Sequence, residues 1–171
     1  YLMKTIRWGI LAPGNISRKF ATGLGTLPNT ELLAVGSRSQ ESADVFGDKF
    51  SIPRRYNSYE ALVNDPDLDV IYIGSPHSFH KEHTLLCLNA GKAVLCEKPF
   101  AINVHEAEEM VALARQKKIF LMEAMWTRYL PHMVKVRELI ASGAIGEVRM
   151  LKADFGFRTE VNPKGRLFDP Q

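Results

Sequence analysis

Short apolar runs alternate with amphipathic stretches through most of this chain. Thr5 to Ala12 sets Ile6, Trp8, Ile10 and Leu11 in one window, which predicts a buried strand. Pro13, Gly14 and Asn15 break it, and Ile16 to Leu27 follows with Ile16, Phe20 and Leu24 at helical spacing. Glu31 to Gly36 predicts a second strand, and Ser39 to Phe50 a second helix. Arg55 and Tyr56 make at most a short strand, and Tyr59 to Val63 a short helix closed by Asn64, Asp65 and Pro66. Val70 to Gly74 reads as a strand, Ser78 to Ala90 as a helix stopped by Gly91, and Ala93 to Cys96 as a strand. Asn103 to Lys117 is a helix whose Asn103 and Glu106 have capping-box spacing. Ile119 to Met122 is another strand. Strands and helices alternating at this spacing predict βαβ units, and hence an α/β fold with a doubly wound parallel sheet.

The pattern then changes. Pro131 to Ser142 is expected to be a helix, and Glu147 to Phe157 a long alternating strand through Val148, Met150, Leu151, Ala153, Phe155 and Phe157. Arg158 to Gln171 is polar and rich in turn residues. A boundary is expected near Met125 to Leu130. It separates a nucleotide-binding domain at 1–125 from the start of a second domain at 126–171, inside which the chain stops. Met3 is read as the native start.

Composition narrows the class. Hydrophobic residues make up 46%, charged residues 24%, and the formal net charge is +3. There is no Lys/Arg run, so nucleic acid is not expected as a partner. No apolar stretch is long enough for a bilayer, so no membrane partner is expected. The two cysteines, Cys87 and Cys96, lack metal-ligand spacing and suit a reduced, cytoplasmic protein.

The candidate chemistry clusters at the strand ends. The first turn, Ala12-Pro13-Gly14-Asn15-Ile16-Ser17, keeps only the middle glycine of a dinucleotide fingerprint. At Gly14 a missing side chain lets a diphosphate approach the backbone and the helix amino terminus. The second strand ends in Gly36-Ser37-Arg38-Ser39, with no acid at its tip. Arg38, helped by Ser37, could pair with a 2′-phosphate, which favours NADP over NAD; a surface arginine is the plain alternative. Ser75, Pro76, His77 and His80 follow the strand at Val70 to Gly74. His77, His80 and His83 recur every third residue, but no Cys or carboxylate completes a ligand set, so no metal is expected. Glu97-Lys98-Pro99 ends the strand that starts at Ala93. Lys98 there could stabilise a developing oxyanion, with Glu97 holding it in place; a salt-bridged loop lysine is the alternative. Trp126 and Arg128 follow the last strand as a wall and a cation for a ligand, or as interdomain packing.

Trp8-Gly9-Ile10-Leu11 into Gly14-Asn15-Ile16, Ser75-Pro76-His77 with His80, Glu97-Lys98-Pro99, and Glu123-Ala124-Met125-Trp126-Thr127-Arg128 together resemble the glucose–fructose oxidoreductase and inositol dehydrogenase family (Gfo/Idh/MocA). The last two motifs resemble its dihydrodiol dehydrogenase and NADP-dependent D-xylose dehydrogenase branch. The resemblance implies a Rossmann domain followed by an α+β domain with a mostly antiparallel sheet. It implies hydride transfer between a nicotinamide cofactor and a small sugar, polyol or diol. Lys98 is the catalytic residue it carries over, and His80 lies near the nicotinamide in relatives. A tyrosine or histidine acid/base would follow residue 171. A homodimer or higher homo-oligomer through the second-domain sheet is expected. Ala12 departs from the family glycine, which predicts a reshaped first turn, and His77 stands where many members have asparagine. The rival reading is a nucleotide-binding regulatory or sensor module without turnover.

Overall fold

Six strands form one parallel sheet in the order β3-β2-β1-β4-β5-β6 in the computed structural model, which describes residues 4–163. They are β1 Ile6–Leu11, β2 Thr30–Gly36, β3 Arg54–Tyr56, β4 Val70–Ile73, β5 Ala93–Cys96 and β6 Leu121–Glu123. The helices between them are α1 Asn15–Leu24, α2 Gln40–Phe50, α3 Tyr59–Val63, α4 His80–Asn89 and α5 Val104–Lys117, and α6 Pro131–Ala141 comes after the sheet. The expected Rossmann-like arrangement is present.

Period-two alternation along the strands sorts their side chains onto two faces. Ile10, Val35 and Tyr72 pack with Ala21 of α1 and with Ala43 and Phe46 of α2. Leu11, Ile71, Ile73, Val94 and Cys96 pack with Leu62 of α3, Cys87 and Leu88 of α4, and Met110 of α5. The alternation skips once. Trp8 pairs with Leu32 but Gly9 pairs with Ala34, so Leu33 is an extra residue in β2. That bulge puts Leu33 and Ala34 on the same face, while Leu32 and Val35 stay on the other.

Helix ends follow local chemistry. Asn103 accepts from the Glu106 amide, as the capping pattern predicts. The Glu106 carboxylate, however, accepts from the Ile102 amide, one residue before the cap. α1 is shorter than expected. Past Leu24 the backbone bonds become three-residue turns (Thr26 N–H to Gly23 O, Leu27 N–H to Leu24 O), and Leu27 is exposed. The start of α4 is likewise replaced by a 3-10 turn at His77–Phe79.

The chain divides between Trp126 and Thr127 into two units. In the second, α6 is present, but the strand expected at Glu147 to Phe157 is not formed. Its apolar side chains lie open, with Met150 86% and Phe155 89% exposed. A strand needs a neighbouring ladder for its N–H and C=O groups, and none of the described residues of this unit supplies one. The segment 158–163 has no helix or strand; the rest of the expected polar tail, 164–171, and the proposed start at Met3 lie outside the described residues.

Candidate functional site

All six strands end in register at one edge, with Tyr56 of β3 against Gly36 of β2. Leu11 is paired with Gly36 on one side and Ile73 on the other, Ile73 with Cys96, and Cys96 with Glu123. The residues that follow β2, β1, β4, β5 and β6 therefore line up: Ser37, Ala12, Gly74, Glu97 and Ala124. The ladder runs one bond beyond the strands, with Ala12, Gly74 and Glu97 N–H donating to Gly36, Leu11 and Ile73 carbonyls. The helix after β1 covers one face and the helix after β4 the other, so a crevice opens at the β1/β4 boundary, where open α/β sheets bind ligands.

The first turn sits on that boundary. Ala12 has φ 68°, the left-handed conformation that the fingerprint glycine adopts without strain. The alanine holds this left-handed conformation in the turn. The buried Ser17 hydroxyl donates to the Ala12 carbonyl at 2.8 Å and locks the turn to α1. Gly74 packs against this lock: a Cβ there would lie 2.1 Å from Ser17 Oγ. Gly14 differs. A Cβ on Gly14 would meet no protein atom within 4 Å, and its backbone is extended at φ −146°. Neither packing nor conformation requires glycine at 14, so the space above it is available to a ligand. Asn15 and Ile16 are exposed at the start of α1, whose first turn has no acid. Its free N–H groups suit an anion, and a diphosphate fits this donor set.

At the tip of β2, Ser37 is buried and its N–H donates to the Tyr56 carbonyl, while Arg38 is exposed. Burial pushes the Tyr59 phenol up, and the neighbouring Arg38 guanidinium opposes that shift. Ser39 accepts from the Ser42 amide and caps α2. A cleft of about 240 Å³ runs from Pro13 and Arg18 to Ser39, Ser42 and Val45, joining the first turn to the start of α2.

After β4, Ser75 is buried, and its hydroxyl lies 2.9 Å from His83 Nδ1. The His83 ring packs between Tyr59 and Phe79, and burial lowers its pKa. His80 is 1% exposed, with Nδ1 2.8 Å from the Pro99 carbonyl oxygen and Nε2 3.0 Å from that of Ser75. It braces the loops after β4 and β5 against each other. Pro76 is exposed, and His77 is half-buried. Among the described residues no group of His, Cys, Asp and Glu could hold a metal.

After β5, Lys98 is exposed and Glu97 is buried. Glu97 accepts from the Lys98 amide through Oε2 at 3.2 Å and from the Tyr72 hydroxyl through Oε1 at 2.7 Å. Burial, and then the Glu97 carboxylate, push the Tyr72 phenol far up, so it acts as the donor. Trp126 is exposed at the end of the first unit, beyond β6. Glu123 accepts from the Phe100 amide. Arg128 belongs to the second unit, where its carbonyl accepts from the Arg137 guanidinium.

The sequence reading missed Tyr72, Gly74 and Ser17.

Residues 6–125 match a family model described as an oxidoreductase family with an NAD-binding Rossmann fold. The chain is 49% identical over 161 residues to mouse (Mus musculus) trans-1,2-dihydrobenzene-1,2-diol dehydrogenase, a match covering 93% of this chain and 48% of that protein. The human enzyme of the same name is 48% identical, with 88% and 46% covered. The chain thus spans about half the length of these curated relatives. Among solved structures, a 3-ketoreductase from Actinomadura kijaniata in complex with TDP-benzene and NADP aligns with TM-score 0.78 at 33% identity, over 85% of this chain and 46% of that one. A scyllo-inositol dehydrogenase from Lactobacillus casei with bound NAD(H) and scyllo-inositol aligns with TM-score 0.78 at 25% identity, over 84% and 43%. No helix among the described residues is long and apolar enough to cross a membrane.

Proposed function

This chain belongs to the oxidoreductase family with the NAD-binding Rossmann fold, and we propose that it is the cofactor half of an NADP-dependent dehydrogenase acting on a vicinal diol or related alcohol. One observation carries this reading. Along a single sheet edge the chain places an open glycine turn, an exposed Arg38 at a strand tip that lacks an acid, and an exposed Lys98 two strands beyond the turn.

In this reading the α1 amino terminus, from Gly14 to Ile16, holds the diphosphate of the dinucleotide. Arg38, with Ser37 beside it, holds the 2′-phosphate; an NAD-specific site commonly has an acid there for the ribose hydroxyls. Ser75, Pro76 and His77 line the edge, and His80 keeps their loop in place from behind. Bound NADP supplies a hydride acceptor. Lys98 donates to the substrate oxygen and stabilises the negative charge that develops there as the hydroxyl proton passes to a general base. Trp126, exposed at the end of the first unit beyond β6, lines the same edge. The diol is suggested by the names of the mammalian relatives.

Fluorescence titration of the chain with NADPH and NADH tests the cofactor assignment. A charge-assisted phosphate contact contributes about 1.5–3 kcal/mol, so Arg38→Ala should weaken NADPH roughly 10- to 150-fold. NADH affinity should stay within about twofold of the parent. If Arg38→Ala leaves NADPH affinity at the parent value, Arg38 holds no 2′-phosphate.

A further inference from the structure

Tyr72 lies outside the edge, inside the sheet, yet it contacts the machinery there. It belongs to β4, is 1% exposed, and stands in register with Leu95, two residues before Glu97 on β5. Its ring stacks flat on Phe20 at 3.9 Å and 2°, and Phe20 in turn leans on Trp8 at 5.3 Å. This aromatic column fixes where the hydroxyl points. The hydroxyl donates to Glu97 Oε1 at 2.7 Å, and Glu97 Oε2 accepts from the Lys98 amide at 3.2 Å. One carboxylate, 9% exposed, thus joins β4 to the backbone of the residue that presents its ammonium at the edge.

A fold does not need this arrangement for stability. Taking a carboxylate out of water is costly, and an apolar residue between Tyr72 and the strand end would pack without that cost. The two hydrogen bonds offset the desolvation, and in doing so they fix the point from which the Lys98 side chain leaves the strand. A reacting group gains most from such fixing, because misplacement by about 1 Å can reduce a rate a hundredfold. We propose that Tyr72 is a positioning residue for Lys98, acting through Glu97. This rests on the assignment of Lys98 as the group that stabilises the substrate oxygen.

The test is a double-mutant cycle on the intact protein that carries this chain. Oxidation of trans-1,2-dihydrobenzene-1,2-diol with NADP is compared for the parent, Tyr72→Phe, Lys98→Met and the double variant. Tyr72→Phe removes one oxygen and keeps the stacked ring. Its kcat should fall on the order of tenfold, with diol KM and NADPH affinity held within about twofold. In the Lys98→Met background the same substitution should change kcat by less than about twofold. Equal loss in both backgrounds would mean that Tyr72 serves only the fold, and would overturn the proposal. If Lys98→Met is severely impaired while Tyr72→Phe is silent, the Tyr72 proposal alone falls. If Lys98→Met keeps full turnover, the underlying assignment of Lys98 fails, and the proposal with it. Glu97→Gln provides the second variant should Tyr72→Phe fail to fold: its kcat loss should likewise vanish when Lys98 is absent, and persistence of that loss overturns the proposal.

Discussion

Gly74 and Gly14 stand on neighbouring turns, and the structure gives them opposite reasons for being glycine. In Gly74→Ala the new methyl carbon would lie 2.1 Å from Ser17 Oγ, 3.2 Å from Tyr72 Cε1 and 3.3 Å from the Ala12 carbonyl oxygen. Ser17 can escape only by rotating away from that carbonyl, which breaks their 2.8 Å hydrogen bond in a residue with no solvent exposure. An unsatisfied buried hydroxyl costs about 1–3 kcal/mol. The remaining overlap with the Tyr72 ring and a fixed backbone oxygen adds an overpacking cost of about 1–3 kcal/mol, part of which relaxes. The expected destabilisation is about 2–4 kcal/mol. Urea titration followed by far-ultraviolet circular dichroism should show it as a midpoint lowered by about 1–2 M. In Gly14→Ala the methyl group meets no protein atom within 4 Å, and φ −146° suits any residue. Stability should change by less than about 1 kcal/mol, the cost of a poorer helix cap. NADPH affinity should instead fall by about tenfold or more, because the methyl group occupies the diphosphate's approach. A Gly74→Ala protein within about 0.5 kcal/mol of the parent would refute the packing argument. A Gly14→Ala protein that binds NADPH normally would refute the placement of the diphosphate.

Two further outcomes follow from the titrating groups. Asp69 is lowered to about 2, first by the Arg7 amide and then, against burial, by Lys4 and Arg7; burial would raise Asp65, but the Asp67 amide, Arg54 and Tyr56 outweigh it. Both carboxyls lie below the ordinary 3.8, so their stabilisation is present above about pH 4 and is lost as pH falls, for Asp69 through about 2. Urea midpoints measured down that range should drop steadily, and Asp69→Asn should flatten the drop. Burial pushes the Cys96 thiol up to about 12 and the Cys87 thiol higher still, so neither should react with a thiol reagent at neutral pH until denaturant is added. Rapid labelling of the native protein would contradict their burial.

What the sequence disclosed, and what it withheld, divides by the range of the interaction. Strands such as Val70–Ile73 and Ala93–Cys96 are legible because each carries its own apolar run and its own punctuation, Gly74 in one case and Lys98-Pro99 in the other. Strand–turn–helix order and the loss of an acid after Gly36 are likewise local, and they led to the turn and to Arg38. The bulge at Leu33 is invisible in Leu32-Leu33-Ala34-Val35, because four apolar residues in a row hide a skipped alternation. Glu147 to Phe157 shows the converse error: alternation is a property of the segment, but a strand is a property of a pair.

The site divides in the same way. Gly14, Arg38 and Lys98 could be named from their neighbours in sequence. The lock of Ser17 under Gly74 joins residues 57 positions apart, and the Tyr72–Glu97 contact joins residues 25 apart. Only the parallel register of β1, β4 and β5 brings them together. The groups that would touch a ligand are therefore readable one motif at a time, whereas the groups that hold them still are set by the sheet. Substitutions at the first kind of position should change binding or turnover and leave folding alone. Of the second kind, Gly74 should act on folding, and Tyr72 on turnover through Lys98, although neither lies in any motif that marks the site.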